Sequence, residues 1–155
     1  IRNKDAPTTI SATEVVAAKY KSTAGQSISD STVTALTHAT KVYDTHNAVS
    51  SGAFTAPTSG LYQIEGFAFW ASSAGWSSLE VTHMIAYIDG VGDSYMSSWT
   101  GQNAVASLQP ALYGSTKVWL NAGQVATVRI FQNSGGALTF TTNADQNWIA
   151  FTRIK

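Results

Sequence analysis

The sequence predicts an all-β chain, a sandwich or jelly roll of about ten short antiparallel strands, on three observations. Runs rich in Val, Ile, Thr and aromatic residues recur between Gly, Asn, Asp and Ser turn signals about every 8 to 12 residues. No window sustains the period of an amphipathic helix. The third observation is the segment GAFTAPTSGLY, Gly52 to Tyr62. Pro57 presets the dihedral wanted at the second position of a tight turn, and Gly60 is placed to take the positive φ that reverses the chain. Beyond it Tyr62 and Ile64 alternate with Gln63 and Glu65, a strand with one dry face and one wet face.

The elements follow in order. Ser11 and Glu14 have capping-box spacing and Val15 to Ala18 could open a helix, but Tyr20 to Gly25 offers nothing to prolong it. Isolated helices shorter than about 12 residues are marginal, so Glu14 to Lys21 is expected as a strand. Strands are expected next over Ser31 to Tyr43, Val49 to Thr55 and Leu61 to Ala71. From Phe67 to Trp70 both faces are apolar, which suits a strand packed between its own core and a second subunit. Phe67, Phe69 and Trp70 are therefore expected at a subunit interface. Ser72 to Ser78 reads as a loop, and Val81 to Ile88 as a strand ending in the hairpin signal Asp89-Gly90. Its partner lies within Ser94 to Leu108, anchored by Tyr95, Met96, Trp99, Val105 and Leu108 and interrupted at Gly101-Gln102-Asn103. Ser115 to Leu120 and Val125 to Asn133 are strands joined through Asn121 to Gln124. After the turn Ser134-Gly135-Gly136, Leu138 to Thr142 and Trp148 to Lys155 complete the set. With no repeat and no internal linker, residues 10–155 read as one domain and Ile1 to Thr9 as a connecting segment.

Composition narrows the function. The chain has 155 residues, 44% hydrophobic and 11% aromatic, enough for one real core and incompatible with intrinsic disorder. Nine basic and nine acidic residues cancel, so there is no electrostatic footprint for nucleic acid or anionic lipid. Charged residues are only 12%, about half the ~25% usual in soluble domains, and Ser, Thr, Gly and Ala take their place. The absence of cysteine excludes disulfides, thiolate metal sites and cysteine nucleophiles. There is also no Asn-x-Ser/Thr glycosylation acceptor. Both absences argue against an animal secretory protein and fit a microbial or viral product stabilised by its core and by assembly. No run of ~18 apolar residues could form a membrane helix, and the sequence opens on neither a charged-then-apolar stretch nor a Met. The chain is expected to continue upstream or to have been processed.

Four signatures then resemble, in order, those of the complement C1q globular head, within the C1q and tumour necrosis factor-like superfamily. They are Val42-Tyr43-Asp44 with Gly52 to Tyr62, the hairpin Tyr87-Ile88-Asp89-Gly90, the turn Leu120-Asn121-Ala122-Gly123-Gln124-Val125, and the closing strand Trp148-Ile149-Ala150-Phe151. Gln124 stands where the family usually has Asp, Ala150 where it usually has Gly, and no collagen-like repeat is present. The Ser/Thr-rich lead-in from Ala17 to Asp44 is more similar to microbial and bacteriophage members. The resemblance, which spans about Val15 to Ile154, implies a C1q/TNF-like ten-stranded jelly roll that forms a homotrimer, binds through outward loops and performs no catalysis.

The residues agree that this is not an enzyme. Three histidines and nine carboxylates accompany no nucleophile elbow, phosphate loop or His-Glu-x-x-His motif. His38 and His46, eight residues apart, would stand roughly 26 Å from each other on one strand. His46 reads as a strand-end residue, with a threefold metal site as its alternative, and His83 as a packed strand residue. No metal site is assigned and no cofactor is expected, although Asp89 and Asp93 around Gly90-Val91-Gly92 could offer oxygen ligands to calcium. Trp119 and Trp148 are expected in the core or an interface. The candidate ligand-binding set is Trp76, Asp89, Asp93, Tyr95, Trp99, Gln102 and Asn103: aromatic rings to stack on a sugar or anchor a protein, short polar groups to bond it. The alternative is that these rings plug the end of the sandwich.

The preferred function is a trimeric adhesive head, of a bacteriophage or viral fibre or virion surface, that binds a host-surface glycan or protein. The alternative is a secreted microbial carbohydrate-binding module. Both place the chain outside the cell or on the virion, without membrane insertion.

Overall fold

The computed structural model describes residues 15–71, 76, 79–101 and 109–154. Among them run thirteen strands: β1 (Ala17–Lys21), β2 (Ser27–Ile28), β3 (Thr34–Ala35), β4 (Thr40–Asp44), β5 (Val49–Ser50), β6 (Ala53–Thr55), β7 (Gly60–Phe69), β8 (Val81–Ile88), β9 (Val91–Thr100), β10 (Ala111–Leu120), β11 (Val125–Gln132), β12 (Leu138–Thr139) and β13 (Asn147–Arg153). They pair antiparallel into a five-stranded sheet, β10-β7-β13-β1-β4, and a six-stranded sheet, β5-β6-β11-β8-β9, with β3 also on β11 and β12 on β2. The expected all-β jelly roll is thus the fold. The one helical element among the described residues is a 3₁₀ turn at Ala144–Gln146, capped by the Asn143 side chain accepting from the Asp145 amide. The connecting segment expected at 1–9 lies outside the described residues.

Period two builds the core. Along β7, Tyr62, Ile64 and Ala68 point inward and are buried, and along β11 Ala126, Val128, Ile130 and Gln132 do the same. The inward faces of the two sheets meet, with Phe54, Met84, Leu112, Leu120 and Phe151 among the fully buried residues between them. The edge strands β9 and β10 close one side. At Gly114 a Cβ would sit 2.3 Å from the Met96 carbonyl oxygen, so only glycine allows that approach.

The GAFTAPTSGLY segment carries one wall of the core. Phe54 stacks on Phe151 with ring centroids 4.7 Å apart and meets Tyr62 at 5.5 Å, while the Tyr62 hydroxyl donates to the Thr58 carbonyl at 2.6 Å. Both rings are buried, as expected of this corner. The positive φ is not supplied by Gly60, which opens β7 paired with Leu120, but by Ser51 (φ 48) and Gly52 (φ 78). Those two residues turn the chain and split the expected strand Val49 to Thr55 into β5 and β6. At Gly52 a Cβ would fall 1.9 Å from the Leu36 carbonyl oxygen, so any side chain is excluded by space as well as by dihedral.

Asp89 (φ 50) and Gly90 (φ 82) form the two-residue hairpin that their sequence signals. β9 therefore begins at Val91, three residues before the expected start. β10 begins at Ala111 rather than Ser115, because Gly114 lies inside the strand and does not end it. Ser31 to Tyr43 is not continuous; it divides into β3 and β4 around His38, which is buried against the core.

Candidate functional site

The outward face of the five-stranded sheet carries aromatic side chains where a solvated sheet carries polar ones. Phe67 on β7 is paired with Tyr113 on β10 and with Trp148 on β13, so the three form a row across the sheet. Their rings touch edge to face, Phe67 to Tyr113 at 6.3 Å and Tyr113 to Trp148 at 6.1 Å, and the Lys19 ammonium covers Trp148 at 4.0 Å. Phe69 continues the row on β7, and Trp119 pairs with Leu61 at the far end of the same face. Tyr113 is 59% exposed and Trp119 61%. Trp119 is thus not in the core. Tyr113 lay outside the expected strand; its signal was the alternation Tyr113, Ser115, Lys117, Trp119.

Trp70, expected at the interface beside Phe67 and Phe69, is fully buried in its own chain. It shares strand parity with Tyr62 and Ile64, which carries it inward. There it packs on Phe140 at 4.2 Å and against Trp76 at 5.5 Å, and Trp76 meets Trp99 at 5.1 Å. Trp76 and Trp99 are half-buried against the core, so this cluster closes one end of the sandwich.

Asp89 stands at the opposite end. Eight positions of β9 separate Val91 from Trp99, roughly 26 Å at the usual strand rise. Its carboxylate accepts from the Val125 amide at 2.9 Å and from the Gln124 side-chain amide at 2.8 Å, and these bonds hold its pKa below the ordinary value. Gln124 Oε1 in turn accepts from the Asn121 amide at 2.8 Å, and its backbone carbonyl from Ala56 at 2.9 Å. Both Asp89 oxygens are thus engaged, and Asp89 clasps its own hairpin to the Asn121–Gln124 turn rather than standing free at a hairpin tip. This explains Gln124: an aspartate there would have no donor to offer Asp89.

Asp93 and Tyr95 come together on the outward face of the six-stranded sheet. They line a groove of about 240 Å³ with Ile85, Tyr87, Gly92 and Ser94. A second cleft, about 300 Å³ between Ser22 to Gln26 and Thr37 to Thr40, has no charged or aromatic lining side chain. Gln102 and Asn103 lie outside the described residues.

The histidines divide by environment. His83 stacks on Phe131 at 5.9 Å, and burial lowers its pKa. His46 exchanges a hydrogen bond through Nδ1 with Thr45 Oγ1 at 2.8 Å. His38 has both ring nitrogens buried without a partner among the described residues, and burial lowers its pKa to about 4. Among the described residues no group of three or more His, Asp or Glu converges on a metal-sized site.

No family model matches the sequence, and no curated protein matches it. Solved structures do. The chain is similar to Eiger TNF from S. frugiperda, with TM-score 0.61 and 11% identity over 91% of this chain and 93% of that one. It is similar to murine APRIL, with TM-score 0.65 and 12% identity over 90% and 99%. It is also similar to the globular domain of zebrafish complement 1qA protein, with TM-score 0.60 and 12% identity over 91% and 98%. At such identities the likeness speaks for the fold, and the chain has the jelly-roll fold of tumour necrosis factor-like and C1q globular domains.

Proposed function

We propose that this chain is a non-catalytic head domain that assembles as a homotrimer through the outward face of its five-stranded sheet and binds a host-surface ligand. The observation that carries the reading is the row Tyr113, Phe67 and Trp148 with Phe69 beside it; Leu61 and Trp119 form a second apolar pair on the same face, beyond the polar pairs Ser115–Glu65 and Lys117–Gln63. A sheet whose inward face already forms the core has no need of a second aromatic face, and leaving one in water favours association. A sheet face set against a neighbour's edge is a heterologous contact, which closes into a ring when three copies complete the rotation. Phe67 and Phe69 then belong to the interface as the sequence suggested, with Tyr113, Trp119 and Trp148 added.

The Ser/Thr-rich lead-in, the missing cysteines and the low charge support placing the head on a bacteriophage or viral fibre or virion surface, in a chain whose residues 10–155 form one domain. Among the described residues no helix is long and apolar enough to cross a membrane. The reading is tested by measuring adhesion of the labelled protein to candidate host cells beside a Phe67→Arg variant. Adhesion by the parent, with loss of avidity in a variant that has become monomeric, is expected. A parent that adheres to no host cell, or whose adhesion is the same as a monomer, contradicts it.

A further inference from the structure

We infer that the groove between Tyr87 and Tyr95, on the outward face of the six-stranded sheet, is a binding site for one ring of a neutral saccharide. The inference rests on the reading of the chain as a binding head and says where, and for what class of ligand.

The groove is built before a ligand arrives. Its floor is Ile85, 7% exposed, and its walls are the rings of Tyr87 and Tyr95. Tyr95 is 69% exposed, yet its ring is held edge to face by His83 at 5.2 Å, and His83 lies flat on Phe131. Tyr87 is held by the Arg129 guanidinium over its ring at 4.3 Å, and Arg129 is itself fixed by donating to Thr127 Oγ1 at 3.2 Å. Gly92 is the register partner of Tyr87, and a Cβ there would meet the Tyr87 ring at 3.4 Å. The missing side chain keeps the space beside that ring open. Two tyrosines locked by second residues lose little freedom on binding, which is the condition for an aromatic platform to add affinity.

The chemistry selects the ligand. An exposed tyrosine face takes the C–H face of a pyranose, and the Asp93 carboxylate accepts hydroxyl donors at the groove's edge. Among the described residues lining the groove Asp93 is the one that carries a charge, and Arg129 sits over the Tyr87 ring. A polyanion would meet Asp93. With Arg129 over the π-face of Tyr87, a methylated ammonium would find Tyr95 as a single ring rather than an aromatic cage. A neutral hexose or N-acetylhexosamine needs one ring face and a hydroxyl acceptor, which Tyr95 and Asp93 together supply.

The test is a titration of the full chain with neutral methyl hexosides and N-acetylhexosaminides, followed by amide and aromatic NMR shifts. Choline and trimethyl-lysine serve as the cationic arm and sialic acid as the anionic arm, and light scattering is recorded on the same samples. At least one neutral glycoside should bind with a millimolar dissociation constant and shift Tyr95, Tyr87 and Ile85. Tyr95→Ala and Asp93→Asn should each weaken it about tenfold or more, and Gly92→Leu, which fills the groove from an exposed position, should abolish it without lowering Tm. Failure of every neutral glycoside to shift these residues overturns the inference, as does preference for the cationic or anionic arm, or shifts confined to another surface. Because mass is read independently, a trimer that ignores sugars fails only this inference, while a monomer that binds them fails only the assembly reading.

Discussion

Tyr113 and Trp148 lie two strands apart in the five-stranded sheet, on β10 and β13, yet their rings meet at 6.1 Å in front of Phe67 on the strand between them. The contact lies on the outward side, so an aromatic cluster is assembled with no core of its own chain to enter. In the proposed trimer the neighbouring copy supplies the missing half. Phe67→Arg combined with Tyr113→Asp should therefore convert the assembly to monomers with the parent's far-UV circular dichroism. A double variant that keeps the parent mass on a sizing column would place the interface elsewhere.

The corner of the GAFTAPTSGLY segment makes a stability prediction. Phe54 is sandwiched between Phe151 and Tyr62, and Phe54→Ala should cost roughly 3 to 5 kcal/mol by denaturant unfolding. Gly52→Ala should be at least as damaging although it adds one methyl group, because that methyl meets the Leu36 carbonyl at a positive φ. Gly90→Ala has the strained φ but open space around it, so it should cost clearly less than Gly52→Ala. Equal melting temperatures for the two alanine variants would contradict this account of the Gly52 turn.

His38 predicts a pH dependence with a definite sign. Its pKa falls from 6.5 when unfolded to about 4 in the folded chain, because burial opposes the charged ring. Between those values the unfolded chain binds the proton and the folded one does not. The contribution is therefore intact above pH 6.5 and is lost as pH falls toward about 4, amounting to on the order of 3 kcal/mol at the lower end. His38→Phe should flatten the stability profile over that window. An unchanged slope in the variant would remove His38 as the cause.

The clasp at Asp89 gives a charge prediction. Gln124→Glu replaces a donor to Asp89 by a second carboxylate at a contact of 2.8 Å. The variant should melt below the parent at neutral pH, and the gap should close as the pair is protonated in acid. The introduced carboxylate can still accept from the Asn121 amide, so a gap independent of pH would show that repulsion from Asp89 is not what destabilises the variant.

How much of this was legible in the sequence depended on how locally each feature is determined. The hairpin at Asp89-Gly90 and the burial of Phe54 and Tyr62 were readable, because a positive-φ pair and period-two alternation act within a few residues. Tyr113 was missed because Gly114 reads locally as a breaker. Its place in the strand depends on Met96, which sits on a different strand and leaves no room for a side chain. The apolar run groups Trp70 with the outward Phe67 and Phe69, although its parity with Tyr62 and Ile64 points inward. A run apolar on both faces obscured the alternation. Of the residues expected at a ligand site, Asp93 and Tyr95 share a groove, whereas Trp76 and Trp99 pack at the far end of the sandwich. Tyr87 and Arg129 carried no local signal, since their contact is diagonal across two strands. The turn residue Gln124 marked a departure from the family pattern, and its reason became visible only with Asp89 beside it.

The most direct test of the account is the solution mass of the parent chain, by static light scattering at micromolar concentration. The aromatic outward face predicts close to three times 16.4 kDa, constant on dilution through that range. A single species at 16.4 kDa would leave that face uncovered in solution and contradict the trimeric head.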